Sequence, residues 1–273
     1  MVDLKYSTNR RKSSEGVTIL HNLKKSETGL EYIETKVLEI ESNKFFEENT
    51  ADQEVCIVIL TGKATVVAGE KEFKHLGTRE NVFEKIPTDS VYISINEKFK
   101  IVAETKSKII ICYSPAKEKR ETRLIAASDN SIENRGIKNN KRLVHNILPD
   151  DVMIPENLLV VEVYTDSGNW SSYPPHKHDQ NNLPEESLLE ETYYHEMNPS
   201  QGFVFQRVYT DDLSLDETMT VENGDVVVVP KGYHPVGVPD GYDSYYLNIM
   251  AGPIRKWKFY NDPKHEWILK RKD

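Results

Sequence analysis

Positive charge is in deficit in this chain: 35 Lys and Arg stand against 44 Asp and Glu, a formal net charge of −9. Such a balance gives no basic face to neutralise phosphates, so a nucleic-acid partner is not expected. Attachment to an anionic membrane by charge is disfavoured for the same reason. Long apolar runs are also missing. No stretch approaches the roughly 20 residues of a membrane helix. Residues 1–16 are polar and charged, without the apolar segment of a secretory signal, and the expected compartment is the cytoplasm. There are two cysteines, Cys56 and Cys112. Both lie in apolar runs, 55–60 and 109–113, where a thiol packs as a small hydrophobe, so reduced core residues are expected. No long amphipathic helix is legible before the carboxyl terminus.

What is present is strand. Residues 55–60 and 64–68 read as two strands joined by a tight turn through Thr61 and Gly62. Further strands are expected at 90–95 and 109–113. The segment 116–142 differs, with eight basic residues, four acidic ones and four asparagines. It reads as an exposed connector with a short strand near 122–126, its basic cluster a solvated face rather than a phosphate site. Strands resume at 158–164, 203–209, 226–229 and 245–250. Residues 185–191 suggest a short helical turn before a strand at Tyr193 and Tyr194. The 273 residues therefore divide into a β-unit at 1–115, a connector at 116–142 and a second β-unit at 143–273, in the manner of a diverged duplication.

Four of the eight histidines fall between 176 and 234. In a strand, His176 and His178 share a face, with Cα atoms roughly 6–7 Å apart and Lys177 opposite. Two imidazoles at that spacing can hold one metal ion. Glu191, thirteen residues on, can supply a carboxylate from a neighbouring strand. His234 ends Gly224-Asp225-Val226-Val227-Val228-Val229-Pro230-Lys231-Gly232-Tyr233-His234, a turn, an apolar strand and a second turn that can bring its ring inward. A single histidine is more often a packing or surface residue than a ligand; here the ordered set on an all-β background points to a divalent metal. Three imidazoles and a carboxylate suit Zn, Mn, Fe or Ni, with Zn slightly preferred. His195 shares the parity of Glu191 but lies four residues along, roughly 13 Å, and is expected to line the substrate or pack. His21, His75, His145 and His265 carry no expected role.

These residues resemble the two motifs of the cupin superfamily, His-x-His followed by Glu, then Pro-x-Gly-x-His. The likeness extends further. Gly168-Asn169-Trp170-Ser171-Ser172-Tyr173-Pro174-Pro175-His176-Lys177-His178-Asp179 is similar to the signature of the 5-deoxy-glucuronate isomerase family of myo-inositol catabolism. So are Leu189-Glu190-Glu191-Thr192-Tyr193-Tyr194, residues 202–211, Gly232-Tyr233-His234-Pro235 and the run 245–253 with Arg255 and Trp257. The likeness is dense in the carboxyl-terminal half and loose in the other, which lacks a His-x-His.

The resemblance implies an all-β bicupin of two jelly-roll barrels. It implies His176, His178, Glu191 and His234 as metal ligands, and interconversion of 5-deoxy-D-glucuronate and 2-deoxy-5-keto-D-gluconate through an enediolate or a hydride shift. Glu191 is preferred to Glu190 because the related pectin-pathway uronate ketol-isomerases place the ligand two residues before a tyrosine. A sugar-acid substrate needs a cation, and Arg207 is the first candidate, able to grip a carboxylate with two parallel hydrogen bonds. It faces the cavity only if Phe203 and Phe205 do; otherwise it is an exposed salt-bridging residue. Arg255 is second. Tyr246 and Tyr173 are the chosen catalytic tyrosines among Tyr173, Tyr193, Tyr209, Tyr233 and Tyr246, with Glu162 and Asp211 as carboxylate alternatives. The amino-terminal unit is expected to be structural, so that Glu54→Ala and His75→Ala leave activity near normal. Relatives suggest a homo-oligomer, a dimer or higher. A metal-dependent dioxygenase, the pectin-pathway ketol-isomerase and a sugar-binding barrel without turnover are the competing readings.

Overall fold

The computed structural model describes residues 3–271. Two β-sandwiches follow one another, each a seven-stranded sheet faced by a four-stranded one. In the first, the large sheet runs in the order Arg123–Ile125, Ser90–Ile93, Gln53–Thr61, Ser107–Pro115, Glu34–Ile40, Val17–Leu23 and Arg11–Ser14. Phe45–Asn49, Lys98–Ala103, Ala64–Ala68 and Lys71–Leu76 form its smaller partner. The continuous apolar run in Gln53–Thr61 has a reason: the strand is buried on both faces. Val55, Ile57 and Ile59 fill the first sandwich with Val66, Ile101 and Ile111. Cys56, Val58 and Leu60 join a core that continues into the second unit. Cys56 lies directly across from Cys112 on the neighbouring strand, and both thiols are free and buried.

Both strands read around Gly62 are present, but they do not pair as a hairpin. Gln53–Thr61 belongs to the large sheet and Ala64–Ala68 to the small one, so the chain turns a corner between layers. Gly62 makes the corner with φ +79°, and a Cβ there would sit 2.3 Å from the Lys106 carbonyl oxygen.

The second large sheet runs Lys5–Tyr6, Val226–Val229, Glu190–Asn198, Asp243–Ala251, Leu159–Thr165, Arg142–Leu148 and Ser131–Arg135. It faces Trp170–Ser171, Val236–Gly237, Phe203–Tyr209 and Asp216–Glu222. Its first member comes from the start of the chain: Lys5–Tyr6 pairs with Val226 and Val227, covering what would otherwise be an exposed all-valine edge. The 116–142 segment is also woven in. Arg123–Ile125 pairs with Ser90–Ile93 of the first unit, and Ser131–Arg135 pairs with Arg142–Leu148 of the second. Residues 186–188, expected in a helical turn, are a short strand paired with Asp179–Asn182. The all-β bicupin architecture is as the resemblance implied. No described helix is long and apolar enough to cross a membrane.

The two large sheets pack back to back, and strand alternation decides what meets. On Glu190–Asn198 the even-numbered residues face the first unit. Glu190 accepts from the backbone N–H groups of Glu31 and Tyr32, at 2.8–3.0 Å, and Thr192 meets Thr35 at 3.3 Å. Glu196 pairs with Lys108 at 2.7 Å. The odd-numbered residues face the interior of the second sandwich.

Candidate metal centre

Three of the four expected ligands converge in that interior. Candidate donor atoms of His178, Glu191 and His234 lie within 4.8 Å of one another, and all three side chains are buried. Glu191 is delivered by the start of Glu190–Asn198, a strand flanked by Val226–Val229 and Asp243–Ala251. His178 follows a two-residue strand, His176–Lys177, held by Tyr260–Asn261. His234 comes off the loop after Val226–Val229, where Gly232 takes φ +93° with Tyr209 backbone against it.

The ring orientations are fixed from behind. His178 Nδ1 donates to the Leu189 carbonyl at 2.8 Å and His234 Nδ1 to the Gly232 carbonyl at 2.9 Å. A carbonyl can only accept, so each Nε2 is the nitrogen presented to the centre. His234 Nε2 is buried without a hydrogen-bond partner. His178 Nε2 lies 2.6 Å from Glu191 Oε1, while Asn248 donates to Glu191 Oε2 at 3.0 Å. An orphaned buried imidazole nitrogen, a second imidazole and a carboxylate oriented by a neighbouring amide are a donor set that fits a divalent ion.

The electrostatics agree. Burial would raise the Glu191 carboxyl, but His234 and His178 outweigh it and hold it far below the carboxylate range. Burial would lower His178, and Glu191 outweighs that, so its pKa is raised. Burial lowers His234. It also pushes His176 well below an ordinary imidazole, with His234 and His178 adding to the effect. His176 stands beside the trio rather than within it. Its ring centroid is 5.0 Å from that of His234 and 6.5 Å from that of His178, and it packs on Phe259 at 4.6 Å. Lys177 points away, as alternation requires, to Asp179 at 2.6 Å and Glu186 at 3.3 Å.

Two cavities meet at His176. The inner one, about 30 Å³, is bounded by Glu191, Tyr193, Tyr246, Asn248 and Arg142 among others. The outer one, about 310 Å³, is bounded by Tyr173, Phe259, Ile268 and again Arg142. Tyr246 lies inside, its ring 4.8 Å from that of Tyr193, and burial raises both phenols. Tyr173 lines the outer chamber and packs on Trp170 at 5.2 Å. His195 is buried between Tyr193 and Tyr246 and meets Gln206 at 3.1 Å; burial lowers its pKa to about 4.

Several expected residues are elsewhere. On Phe203–Tyr209 the even residues Val204, Gln206 and Val208 turn inward. Arg207 therefore faces outward, donating to both Asp216 oxygens at 2.7 and 2.9 Å with its side chain 40% exposed. Arg255 donates to the carbonyls of Leu148, Pro149, Val152 and Leu158, fastening the carboxyl-terminal segment to the 148–158 loop. Glu162 has the wrong parity for the cavity and forms a fully buried pair with Arg79 of the first unit. Asp211 accepts from Tyr233 at 2.8 Å and is largely exposed. Glu190 is held by the backbone of 31–32, as described. The residue that spacing did not reveal is Arg142, at the last position of the presumed connector and on the wall of both cavities. Nothing local distinguishes it from the other basic residues of 116–142; only the pairing of Ser131–Arg135 with Arg142–Leu148 brings it there.

A family model described as "KduI/IolB family" matches residues 6–268. The chain belongs to that family. It is 65% identical over 258 residues to the 5-deoxy-glucuronate isomerase of Bacillus licheniformis, covering 94% of this chain and 95% of the relative. It is 64% identical over 258 residues to the 5-deoxy-glucuronate isomerase of Bacillus subtilis strain 168, with the same coverage. Among solved structures, an IolB-like protein from Salmonella typhimurium LT2 superposes with a TM-score of 0.93 at 44% identity, over 98% of this chain and 99% of that one. The oxalate decarboxylase of Lactobacillus farciminis gives 0.69 at 13% identity, over 100% of this chain and 91% of that one, a likeness of fold alone.

Proposed function

We propose that the chain is an aldose–ketose isomerase that converts 5-deoxy-D-glucuronate to 2-deoxy-5-keto-D-gluconate in the second barrel. The observation that carries this reading is the convergence of His178, Glu191 and His234 at one buried point beside a cavity, in a chain closely similar to proteins of that name. His178, Glu191 and His234 would hold a divalent ion, with His176 beside them as the fourth of the set; Zn is the first candidate, followed by Mn, Fe and Ni. When bound, it supplies Lewis-acid polarisation of the carbonyl that the isomerisation needs.

The chain's own residues do the rest. The reaction moves a hydrogen from the hydroxyl-bearing carbon to the adjacent aldehyde carbon, and a proton from one oxygen to the other. Tyr246 and Tyr193 remain protonated phenols because burial raises both. They are therefore hydrogen-bond donors to an oxygen that gains charge, rather than bases. Tyr173 positions the sugar in the outer chamber. Among the described residues lining the two cavities, Glu191 carries the one carboxylate. That supports hydrogen passing directly between the carbons over abstraction by a separate carboxylate base. Phe259 and Ile268 give the outer chamber apolar walls.

The test is proton NMR of 5-deoxy-D-glucuronate incubated in D2O with the protein, before and after chelation and with metal restored. The reading expects conversion that chelation stops and metal restores. Deuterium in the new hydroxymethyl group would indicate the enediolate route and its absence direct transfer. Failure of the metal-loaded protein to convert the sugar acid would sink the assignment. Oxygen consumption with a sugar acid would favour the dioxygenase instead.

A further inference from the structure

We propose that Arg142, with Arg135 across the strand pair, forms the subsite that binds the carboxylate of the substrate and sets the preference for a sugar acid over a neutral sugar. The inference rests on the isomerase reading and names the residue that holds the non-reacting end of the substrate.

Arg142 has what Arg207 lacks. It lines both cavities beside His176. Its Nη1 donates to the carbonyls of Asn140 at 2.9 Å and Tyr173 at 3.5 Å, which aims the guanidinium without neutralising it. Among the described residues no carboxylate lies within 4 Å of it. The contrast is with Arg10, Arg79, Arg135 and Arg207, each paired with an acid. A half-buried guanidinium without a counter-charge, facing a cavity, is costly unless an anion arrives.

The strand register sharpens the point. Arg135 and Arg142 are direct cross-strand partners. Like charges in that position repel. Glu133, at 2.8 Å from Arg135, satisfies only one of them, and that carboxylate is 45% exposed. Arg135 is also stacked over Trp257, 5.1 Å from the ring centroid, and lines the inner cavity. Of the two arginines only Arg135 has a carboxylate, and Arg142 stands without one on the wall that His176 also lines. A linear sugar acid has its aldehyde at one end and its carboxylate at the other. The cavities offer a group for each end: Glu191 of the metal trio lines the inner one, and Arg142 lines both. Arg142 is proposed as a binding residue, not as a participant in hydrogen transfer.

The test compares wild type, Arg142→Gln, Arg142→Lys and Arg207→Gln on 5-deoxy-D-glucuronate and on 5-deoxy-D-glucose, which carries CH2OH in place of the carboxylate. Calorimetric binding of the product acid and metal content are measured alongside. Arg142→Gln is expected to raise KM for the acid on the order of 10- to 100-fold, with a much smaller change in kcat. The preference for acid over neutral sugar falls by the same factor, and metal content stays unchanged. Arg142→Lys keeps the charge without the fork, and should fall between. Arg207→Gln should match wild type. An unchanged KM in Arg142→Gln, or an equal loss on both sugars, would overturn the proposal. If Arg142→Gln does not fold, an Arg142→Lys variant with wild-type preference overturns it equally. Wild type that binds the acid without isomerising it sinks the isomerase reading, while the binding ratio between wild type and variants still decides the role of Arg142. Wild type that does neither overturns both.

Discussion

Glu190 and Glu191 are adjacent in the chain and opposite in duty. Alternation sends Glu191 to the two histidines and Glu190 to the backbone amides of residues 31 and 32. A Glu191→Gln variant is expected to lose metal affinity by at least the 10- to 100-fold attached to lesser changes around a metal site, and its activity with it. Glu190→Gln should keep both and lose some stability. Metal titration of the two purified variants checks this, and equal affinities would contradict it. The pair also shows what was legible at this scale. Period-two reasoning separates inward from outward residues, but not which parity is inward. For Arg207 that missing bit made the difference. Phe203 and Phe205 could have marked a core face, and instead they are the outer face, with Phe205 46% exposed.

At the scale of elements, the strand Gln53–Thr61 was readable as strand, yet its role was not. From the sequence, Glu54→Ala is expected to leave activity near normal; the contacts of Glu54 bear instead on stability. Glu54 is fully buried and accepts from the backbone N–H groups of Glu156, Asn157 and Leu158 at 2.6–2.7 Å, and from Tyr92 OH at 2.9 Å. It fastens the 156–158 loop, and with it the entry to Leu159–Thr165, to the first unit. Removing it leaves buried donors unpaired, at about 1–3 kcal/mol each before relaxation. Glu54→Ala is therefore expected to lower the urea midpoint strongly, while the fraction that stays folded keeps its metal. His75 is exposed and pairs with Glu104, so His75→Ala should move the midpoint little. Equal midpoints for the two variants would refute this. No local pattern in the sequence carries such information, because the partners are about a hundred residues away.

Across the whole molecule, the two sandwiches are joined through a buried ionic network. Arg79 pairs with Glu162, which also accepts from Tyr245 at 2.7 Å. Burial would raise the Glu162 carboxyl above its ordinary 4.5, but Arg79 foremost outweighs it and holds the group at about 2. A depressed carboxyl stabilises the fold above its unfolded pKa, and that contribution fades as pH falls through the folded value. Stability measured by urea unfolding should therefore decline between about pH 4.5 and 2, and Glu162→Gln should flatten that decline. Arg79→Met strands a buried carboxylate and is expected to cost about 3–5 kcal/mol. An unchanged acid profile in Glu162→Gln would contradict the network's role. The all-β class and the grouping of His178, Glu191 and His234 were legible because strand alternation and motif spacing are local. The sheet-to-sheet corner at Gly62, the strand contributed by Lys5–Tyr6 and the placement of Arg142 were not, because each depends on pairing between distant segments.

One divalent ion per chain is expected in the second barrel, at His178, Glu191 and His234 with His176 beside them. Elemental analysis of the purified wild-type protein beside His234→Ala tests it most directly. The expected result is close to one ion per chain in the first and close to none in the second. Two ions per chain, or equal metal in both proteins, would contradict it.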